Sequence, residues 1–382
     1  MSGTAEMTDE RCLSDLGGVG DVLRSLGTGS LMLVADRVAF QASGARDRLA
    51  PLLRDIPVVM FEDFDPNPKL DQLLVGLARY RSRPTDAVLA VGGGTAIDLA
   101  KLIAWSAPQS ADVRELVSGR ARTDRPALPL LAVPTTAGTG SEATQFAVLY
   151  VDGIKCSIDS PELLPRACVL DSALTATLPP SITAHTGLDA LCQGIESLWS
   201  VAATDRSVGY AVEAIGLAWH HLEAAVRCPD SASRAAMCRA SHLAGRAINL
   251  TRTTAPHAIS YAFTSDHGVP HGQAVALTLG PLLVHNAGVT AADNQDPRGV
   301  ESVRARIAMI LDLLDCADAE QASREIDNFV RRLGCETRLS GWGISDRETI
   351  ERIAGKVNPQ RLGNNPRRVT HEQIVDLLES IV

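Results

Sequence analysis

The sequence predicts an α/β domain followed by an all-helical domain, and three observations support this division. Short apolar runs alternate with helical patterns in the first half of the chain, which is typical of a parallel sheet covered by helices. After the Leu178-Pro179-Pro180 run no strand pattern remains, and long segments rich in Ala, Leu, Glu and Arg follow. The length of 382 residues also fits two domains. We therefore expect domains at 1–178 and 179–382.

Each domain has its own set of predicted elements. In the first domain the apolar runs 31–35, 58–61, 87–91 and 130–133 predict buried strands, and 71–80 and 96–106 predict helices. In the second domain the helical patterns cover 205–227, 231–249, 299–314 and 319–333. The junction of an α/β domain with a helical domain is a natural place for a ligand cleft.

Composition and charge exclude several classes of protein. Apolar residues make up 45% and charged residues 21%, as in an ordinary globular protein. The net charge of −9 argues against nucleic acid or an anionic membrane as a partner. No apolar run approaches the ~18 residues of a membrane span, and the polar, acidic start is unlike a secretion signal. The eight cysteines lack any Cys-x-x-Cys spacing, so we expect reduced thiols in a cytoplasmic enzyme.

A glycine turn joins the third predicted strand to the helix after it. The turn contains Gly92, Gly93, Gly94 and Thr95, and Asp98 follows in the first turn of the helix. Glycines let a backbone approach a ligand closely, and the N–H groups at a helix start attract phosphate. The pattern favours a diphosphate site, although a plain strand-to-helix turn would also explain it. It matches neither the usual Gly-x-Gly-x-x-Gly fingerprint nor a P-loop.

A second polar loop follows the next strand and carries the hydroxyls of Thr135, Thr136, Thr139 and Ser141. Hydroxyls at the carboxyl end of a strand suit the sugar and phosphate groups of a nucleotide. Two such loops at neighbouring strand ends therefore predict a dinucleotide site.

Asp36 stands at the end of the first strand, where a carboxylate would accept hydrogen bonds from an adenosine ribose. The same carboxylate would repel a 2′-phosphate, so NAD(H) is favoured over NADP(H). The neighbouring Arg37 would offset part of that repulsion.

Two histidines in the second domain indicate a metal site. On one straight helix His257 and His271 would lie ~21 Å apart. Gly268 and Pro270 disfavour such a helix, so we expect the chain to turn back and to bring the imidazoles together.

A carboxylate completes this predicted ligand set. Asp189 and Gln193 are placed at i and i+4 on one helix face. Asp189, His257 and His271 would supply one oxygen and two nitrogens, which suits Fe(II), Zn(II) or another first-row divalent ion. Gln193 would add a weaker amide oxygen. Helix capping and the satisfaction of buried polar groups remain the alternative roles for these residues.

Several ordered motifs together resemble the iron-containing (group III) alcohol dehydrogenases. They are 92–98, 134–142, Lys155, Pro165, Asp171, 187–191 and 270–272. The resemblance implies an NAD(P)-binding α/β domain that includes Lys155, a helical metal-binding domain, and an architecture shared with dehydroquinate synthase. It also implies one Asp and three His as metal ligands. Gln193 then stands at a histidine position, and Tyr261 at the position of a further active-site histidine.

Three further runs, 193–200, 253–261 and 358–366, are similar to the phosphonoacetaldehyde reductase branch of that family. The similarity implies reduction of phosphonoacetaldehyde to 2-hydroxyethylphosphonate in phosphonate antibiotic biosynthesis. His267 is a candidate proton donor to the product alkoxide, because an imidazole can act as an acid near neutral pH. A loop histidine that faces solvent is the alternative. Candidate groups for binding the phosphonate are Arg252, Arg361, Asn364, Asn365 and Arg367, with the hydroxyls of Ser260 and Thr264.

Three other functions remain open at this point. The chain would also suit a short-chain aldehyde or alcohol dehydrogenase without anion selectivity, or a lyase similar to dehydroquinate synthase. Gln193 would also suit a non-catalytic protein that has lost its metal. An exposed edge strand near the N-terminus would be consistent with a homodimer.

Overall fold

The computed structural model describes residues 4–8 and 11–382. The chain folds into two compact units, of which one ends at Leu178 and the other extends from Pro179 to Val382. The first unit combines strands and helices and the second is helical, so the predicted fold class is confirmed. In the part of the chain that the structure describes, no helix is both long enough and apolar enough to span a membrane.

A six-stranded parallel sheet forms the centre of the first unit. The strands of this unit are β1 (Cys12–Leu13), β2 (Leu31–Ala35), β3 (Val58–Phe61), β4 (Ala87–Gly92), β5 (Leu130–Pro134), β6 (Phe146–Val151), β7 (Ile154–Asp159) and β8 (Ala167–Val169). The sheet has the order β1-β8-β5-β4-β2-β3, and β6 and β7 form a separate antiparallel hairpin. The helices are α1 (Val19–Ser25), α2 (Arg37–Ala42), α3 (Ala45–Leu49), α4 (Leu70–Ser82), α5 (Gly94–Ser106) and α6 (Val113–Val117).

The strand order reverses between β2 and β4. From β2 the chain continues to β3 on one side, whereas from β4 it continues to β5 on the other. Ala35 pairs with Val91, and Gly92 pairs with Pro134, so the carboxyl ends of these three strands share one edge. A reversal of this kind leaves a crevice at the strand ends, which is where open α/β sheets bind ligands.

Apolar side chains alternate along β4 between two cores, as the period of a strand requires. Val88 and Ala90 belong to the cluster on one face of the sheet. Leu89 and Val91 belong to the cluster on the other face. A strand that is apolar on both faces explains the continuous hydrophobic run from which it was predicted.

Ten helices form the second unit, and no strand occurs in residues 179–382, all of which the structure describes. They are α7 (Pro180–Trp199), α8 (Asp205–Arg227), α9 (Ser231–Thr251), α10 (Ala255–His267), α11 (His271–Ala287), α12 (Val300–Leu313), α13 (Ala319–Arg332), α14 (Arg347–Gly355), α15 (Pro359–Leu362) and α16 (His371–Glu379). The predicted helix over 205–227 is confirmed to the residue, and the others differ by a few residues at their ends.

The β6–β7 hairpin was absent from the sequence prediction. Its turn is Asp152-Gly153, with φ of 50° and 78°. Both angles belong to the left-handed region that a tight hairpin turn requires, and an Asp-Gly pair is a strong signal for such a turn. The hairpin strands are only half-buried, so their apolar pattern is weaker than that of β4.

Candidate active site

Three side chains from three helices form a cluster in the second unit. One ligand atom from each of Asp189, His257 and His271 lies within 4.8 Å of the others. The Nε2 atom of His257 is 3.2 Å from Oδ1 of Asp189, and the two imidazole rings are 5.3 Å apart at their centroids. Gly268 ends α10 with a φ of 69°, and α11 begins at His271. The expected reversal of the chain therefore brings both histidines together.

Close contact between α11 and α7 places His271 beside Asp189. A Cβ atom on Gly272 would lie 1.9 Å from the carbonyl oxygen of His185 and 2.7 Å from the backbone nitrogen of Asp189. Both are backbone atoms and cannot rotate away. The absence of a side chain at Gly272 is thus a requirement of the helix contact.

Replacing Gly272 with alanine is expected to destabilise the fold by about 3 kcal/mol, because the helices must separate to admit the methyl group. The matched control is Gly209→Ala on α8, where no atom lies within 4 Å of an added Cβ. That change should stabilise the helix by up to about 1 kcal/mol. Chemical denaturation measures both, and equal stability of the two variants would contradict the close-contact argument.

Glu196 orients His257 from behind the cluster. Its Oε2 atom pairs with Nδ1 of His257, and its Oε1 atom accepts hydrogen bonds from the backbone nitrogen and hydroxyl of Thr254 at 2.8 and 2.9 Å. With Nδ1 held in this way, Nε2 of His257 faces Asp189 as the available ligand atom. Sequence reasoning missed Glu196, although its i+7 position places it on the same helix face as Asp189.

Negative charge dominates this buried cluster. The side chains of Asp189, Glu196 and His257 are 4%, 0% and 6% exposed. Burial alone lowers the pKa of His257, but the carboxylates of Glu196 and Asp189 outweigh that effect and raise the pKa to about 9. The cluster therefore favours a cation. Gln193 is also buried and lies one turn from Asp189 on the same helix face.

An aromatic ring connects this cluster to an arginine. The Tyr261 ring is parallel to the His271 ring, at an angle of 4° and a centroid distance of 6.3 Å. The guanidinium of Arg361 lies 4.9 Å from the Tyr261 ring centroid, and its Nη1 atom donates to the Tyr261 hydroxyl at 2.6 Å. Among the described residues, that guanidinium makes no ion pair and no other hydrogen bond.

The structure gives four of the predicted phosphonate-binding residues internal roles. Arg252 has a φ of 60° and donates from Nη1 to the Asn249 carbonyl at 2.6 Å, at the end of α9.

The amide of Asn364 donates to the carbonyls of Thr251 and Thr253 at 2.7 and 3.0 Å. The amide of Asn365 is fully buried and pairs with Asn286 at 2.8 Å. Arg367 donates from Nη1 to the His285 carbonyl at 2.6 Å and from Nε to Asp293 at 2.8 Å. These side chains thus form hydrogen bonds within the protein, and their contact with a phosphonate stays a prediction.

Three further predicted residues lie on α10. The hydroxyl of Ser260 donates to the His257 carbonyl at 2.9 Å. Thr264 lies on the helix face of His257 and Tyr261, and its hydroxyl is buried without a hydrogen-bond partner in the described part of the chain. The Nε2 atom of His267 is likewise buried without a partner among these residues. The Thr264 hydroxyl and the Nε2 atom of His267 are thus available to form hydrogen bonds with a ligand.

Asp293 anchors the chain that follows Arg361, and its effect is expected to depend on pH. Burial raises the pKa of Asp293, but hydrogen bonds from Thr290 and Arg367 outweigh it and lower the pKa to about 2. A depressed pKa means that ionised Asp293 contributes stability above the unfolded pKa of 3.8 and loses it as the pH falls through about 2. The difference in unfolding free energy between wild type and Asp293→Asn should therefore shrink over this range. A difference that does not change with pH would contradict the assignment.

In the first unit, the predicted nucleotide-binding groups meet at the strand reversal. Gly92 has a φ of 153°, and a Cβ atom there would lie 3.1 Å from Cβ of Asp36. A Cβ atom on Gly93 would lie 3.2 Å from Oγ1 of Thr136, and one on Gly94 would lie 2.8 Å from Cγ2 of Thr139. The glycine turn therefore lies against both Asp36 and the second polar loop.

The remaining predicted nucleotide-binding side chains differ in their hydrogen-bond partners. Thr95 accepts a hydrogen bond from the backbone nitrogen of Asn67 at 3.2 Å. The hydroxyl of Thr135 is buried without a partner among the described residues. Asp36 caps α2 by accepting from the backbone nitrogen of Ala39 at 2.8 Å.

Asp98 and Ser141 hold the hairpin in place, and a contact of either residue with a cofactor stays a prediction. The Asp98 carboxylate accepts from the Ser141 hydroxyl at 2.5 Å and from the backbone nitrogen of Val148 at 2.9 Å. Burial raises the pKa of Asp98, and the positive charges of Lys101 and Lys155 offset part of that rise. Lys155 itself lies on β7, opposite Tyr150.

Family comparison agrees with both units. The model of the iron-containing alcohol dehydrogenases matches residues 13–172, and the model of the C-terminal domain of the same family matches residues 183–382. The chain belongs to the iron-containing alcohol dehydrogenase family. It is accordingly an enzyme, an oxidoreductase of the alcohol and aldehyde class.

Individual relatives extend this comparison. A phosphonoacetaldehyde reductase from Streptomyces viridochromogenes is 39% identical over 342 residues, which cover 87% of this chain and 85% of that protein. A 4-hydroxybutyrate dehydrogenase from Cupriavidus necator is 31% identical over 358 residues, 91% of each chain. The structure of a sulfoacetaldehyde reductase from Bifidobacterium kashiwanohense in complex with NAD+ has a TM-score of 0.88 and 28% identity, and covers 100% of this chain and 98% of that one.

Proposed function

We propose that this enzyme reduces phosphonoacetaldehyde to 2-hydroxyethylphosphonate with a nicotinamide cofactor, as a step of phosphonate natural-product biosynthesis. The observation that supports it best is Arg361, whose guanidinium contacts the Tyr261 ring beside His271 and has no carboxylate partner among the described residues. An arginine without a carboxylate partner beside a buried acidic cluster is suited to the oxyanion of a substrate.

The helical unit carries residues that fit the metal implied by the family name. One carboxylate oxygen and two imidazole nitrogens within 4.8 Å of one another suit a first-row divalent ion such as Fe(II) or Zn(II). Asp189, His257 and His271 would hold the ion, with Gln193 as a weaker fourth ligand. Once bound, such an ion polarises an aldehyde oxygen and stabilises the negative charge that develops there. Glu196 would fix the orientation of His257.

The first unit carries residues that fit the diphosphate of NAD(H). No side chain caps the N-terminus of α5 at Gly93, so the N–H groups of that helix start are suited to an anion. Arg37 donates to Asp63 at 2.6 Å, so it is already paired and offsets less of the negative charge of Asp36. This pairing supports NADH over NADPH.

The other groups have distinct roles in this proposal. Arg361 binds the phosphonate and so orients the aldehyde for hydride transfer from the cofactor. His267 donates the proton that the product alkoxide requires, because its Nε2 atom has no partner in the described part of the chain. The relatives named for phosphonoacetaldehyde and sulfoacetaldehyde support a substrate whose anion is one methylene from the carbonyl carbon.

An absorbance assay of reduced nicotinamide tests the proposal. The enzyme is supplied separately with Fe(II) or Zn(II), NADH or NADPH, and phosphonoacetaldehyde or propanal, with a chelator-treated sample as the control. We expect metal-dependent oxidation of NADH that is far faster with phosphonoacetaldehyde. Equal turnover of both aldehydes would replace the proposal with a dehydrogenase that lacks anion selectivity. No turnover of either aldehyde with either metal would contradict the proposed substrate.

A further inference from the structure

Tyr261 holds Arg361 at two points. Its hydroxyl accepts a hydrogen bond from Nη1 at 2.6 Å, and its ring lies under the guanidinium at 4.9 Å. A guanidinium is planar and carries five donors in a fixed fork, so a hydrogen bond to one edge together with a ring against one face restricts its orientation. The edges that do not face Tyr261 remain for an anion.

The same ring places the guanidinium at a short distance from the predicted metal site. Tyr261 is parallel to His271 at a centroid distance of 6.3 Å, and Arg361 lies against the Tyr261 ring. A single aromatic side chain therefore separates a predicted metal ligand from the arginine. That separation suits a substrate in which the reacting oxygen and the anion are close together.

We propose that Tyr261 positions Arg361 and thereby sets the spacing between carbonyl and anion that the enzyme accepts. The inference rests on the proposed function, in which Arg361 binds the phosphonate. Aldehydes with one methylene between the carbonyl carbon and the anion fit this spacing, and homologues with a longer spacer do not. Tyr261 is thus a positioning residue that acts through Arg361.

The test compares kcat/KM for phosphonoacetaldehyde with kcat/KM for 3-phosphonopropanal, its homologue with one more methylene. The wild type should prefer the shorter aldehyde by at least tenfold. Tyr261→Phe keeps the ring but removes the hydroxyl, and it should reduce this preference about tenfold, mainly through KM. In an Arg361→Ala background the same change should leave the ratio unaltered, because the two residues act as one unit.

A second tyrosine–arginine pair provides the control. On α8 and α9, the Tyr210 hydroxyl accepts a hydrogen bond from Arg246 at 2.5 Å, and the guanidinium lies 4.1 Å from the Tyr210 ring. Tyr210→Phe should leave the ratio of the two phosphonates unchanged, and thermal unfolding checks that both variants fold.

An unchanged ratio in Tyr261→Phe, or an equal effect of that change with and without Arg361, would overturn the inference. Failure of the proposed function would give a different result, in which the wild type shows no preference for phosphonoacetaldehyde over propanal.

Discussion

Replacing Arg361 with alanine is expected to raise KM for phosphonoacetaldehyde about 100-fold. Hydrogen bonds to a charged group contribute about 1.5–3 kcal/mol, and about 1.4 kcal/mol corresponds to a factor of ten. Arg361 forms no ion pair among the described residues, so its removal leaves no carboxylate without its partner. The whole effect should therefore appear on anionic substrates, and kcat/KM for propanal should change by less than about threefold.

Two variants make this prediction specific. Arg361→Lys keeps the positive charge but loses the planar fork, so it should restore part of the affinity. Arg352→Ala removes an exposed arginine of α14 and should leave kcat/KM unchanged for both substrates. Equal losses on phosphonoacetaldehyde and propanal in Arg361→Ala would show that the arginine supports the fold and does not bind the anion.

Replacing Asp189 with asparagine is expected to abolish tight metal binding. Asparagine keeps the shape of the side chain but removes the single carboxylate of the three-residue cluster. Glu196→Gln should have a smaller effect, about 10–100-fold in metal affinity, because Glu196 orients His257 through Nδ1 without being a ligand. Asp189→Asn should lower the metal affinity by a larger factor than Glu196→Gln does.

Competition with a chromophoric chelator measures these affinities without relying on turnover. Asp312→Asn, an exposed position of α12, is the matched control and should bind metal as the wild type does. If Asp189→Asn retained wild-type metal affinity, the cluster would not be a metal site. Its residues would then only satisfy buried polar groups, which is the alternative role given in the sequence analysis.

Local signals in the sequence were sufficient to predict much of the helical unit's cluster. Gly268 and Pro270 interrupt the helix between His257 and His271, and the structure contains a break there with Gly268 in the left-handed region. The side-chain period of a helix also placed Asp189 and Gln193 on one face. Signals of this kind depend only on neighbours along the chain, so a single sequence carries them.

Contacts between distant segments were not predictable in the same way. Asn364 is a predicted phosphonate-binding residue, yet its amide donates to the carbonyls of Thr251 and Thr253, more than one hundred residues earlier in the chain. The amide of Asn365 likewise pairs with Asn286, which lies 79 residues earlier in the chain. No pattern of neighbouring residues in the sequence predicts any of these hydrogen bonds. Glu196 and the Asp152-Gly153 turn did have one, namely the i+7 spacing and the hairpin dipeptide.

A crystal structure with Fe(II) and 2-hydroxyethylphosphonate, with data collected at the iron absorption edge, tests the central claim most directly. We predict an anomalous peak coordinated by Asp189, His257 and His271, and a phosphonate group on the guanidinium of Arg361. An iron peak elsewhere, or a phosphonate bound away from Arg361, would contradict this account of the site.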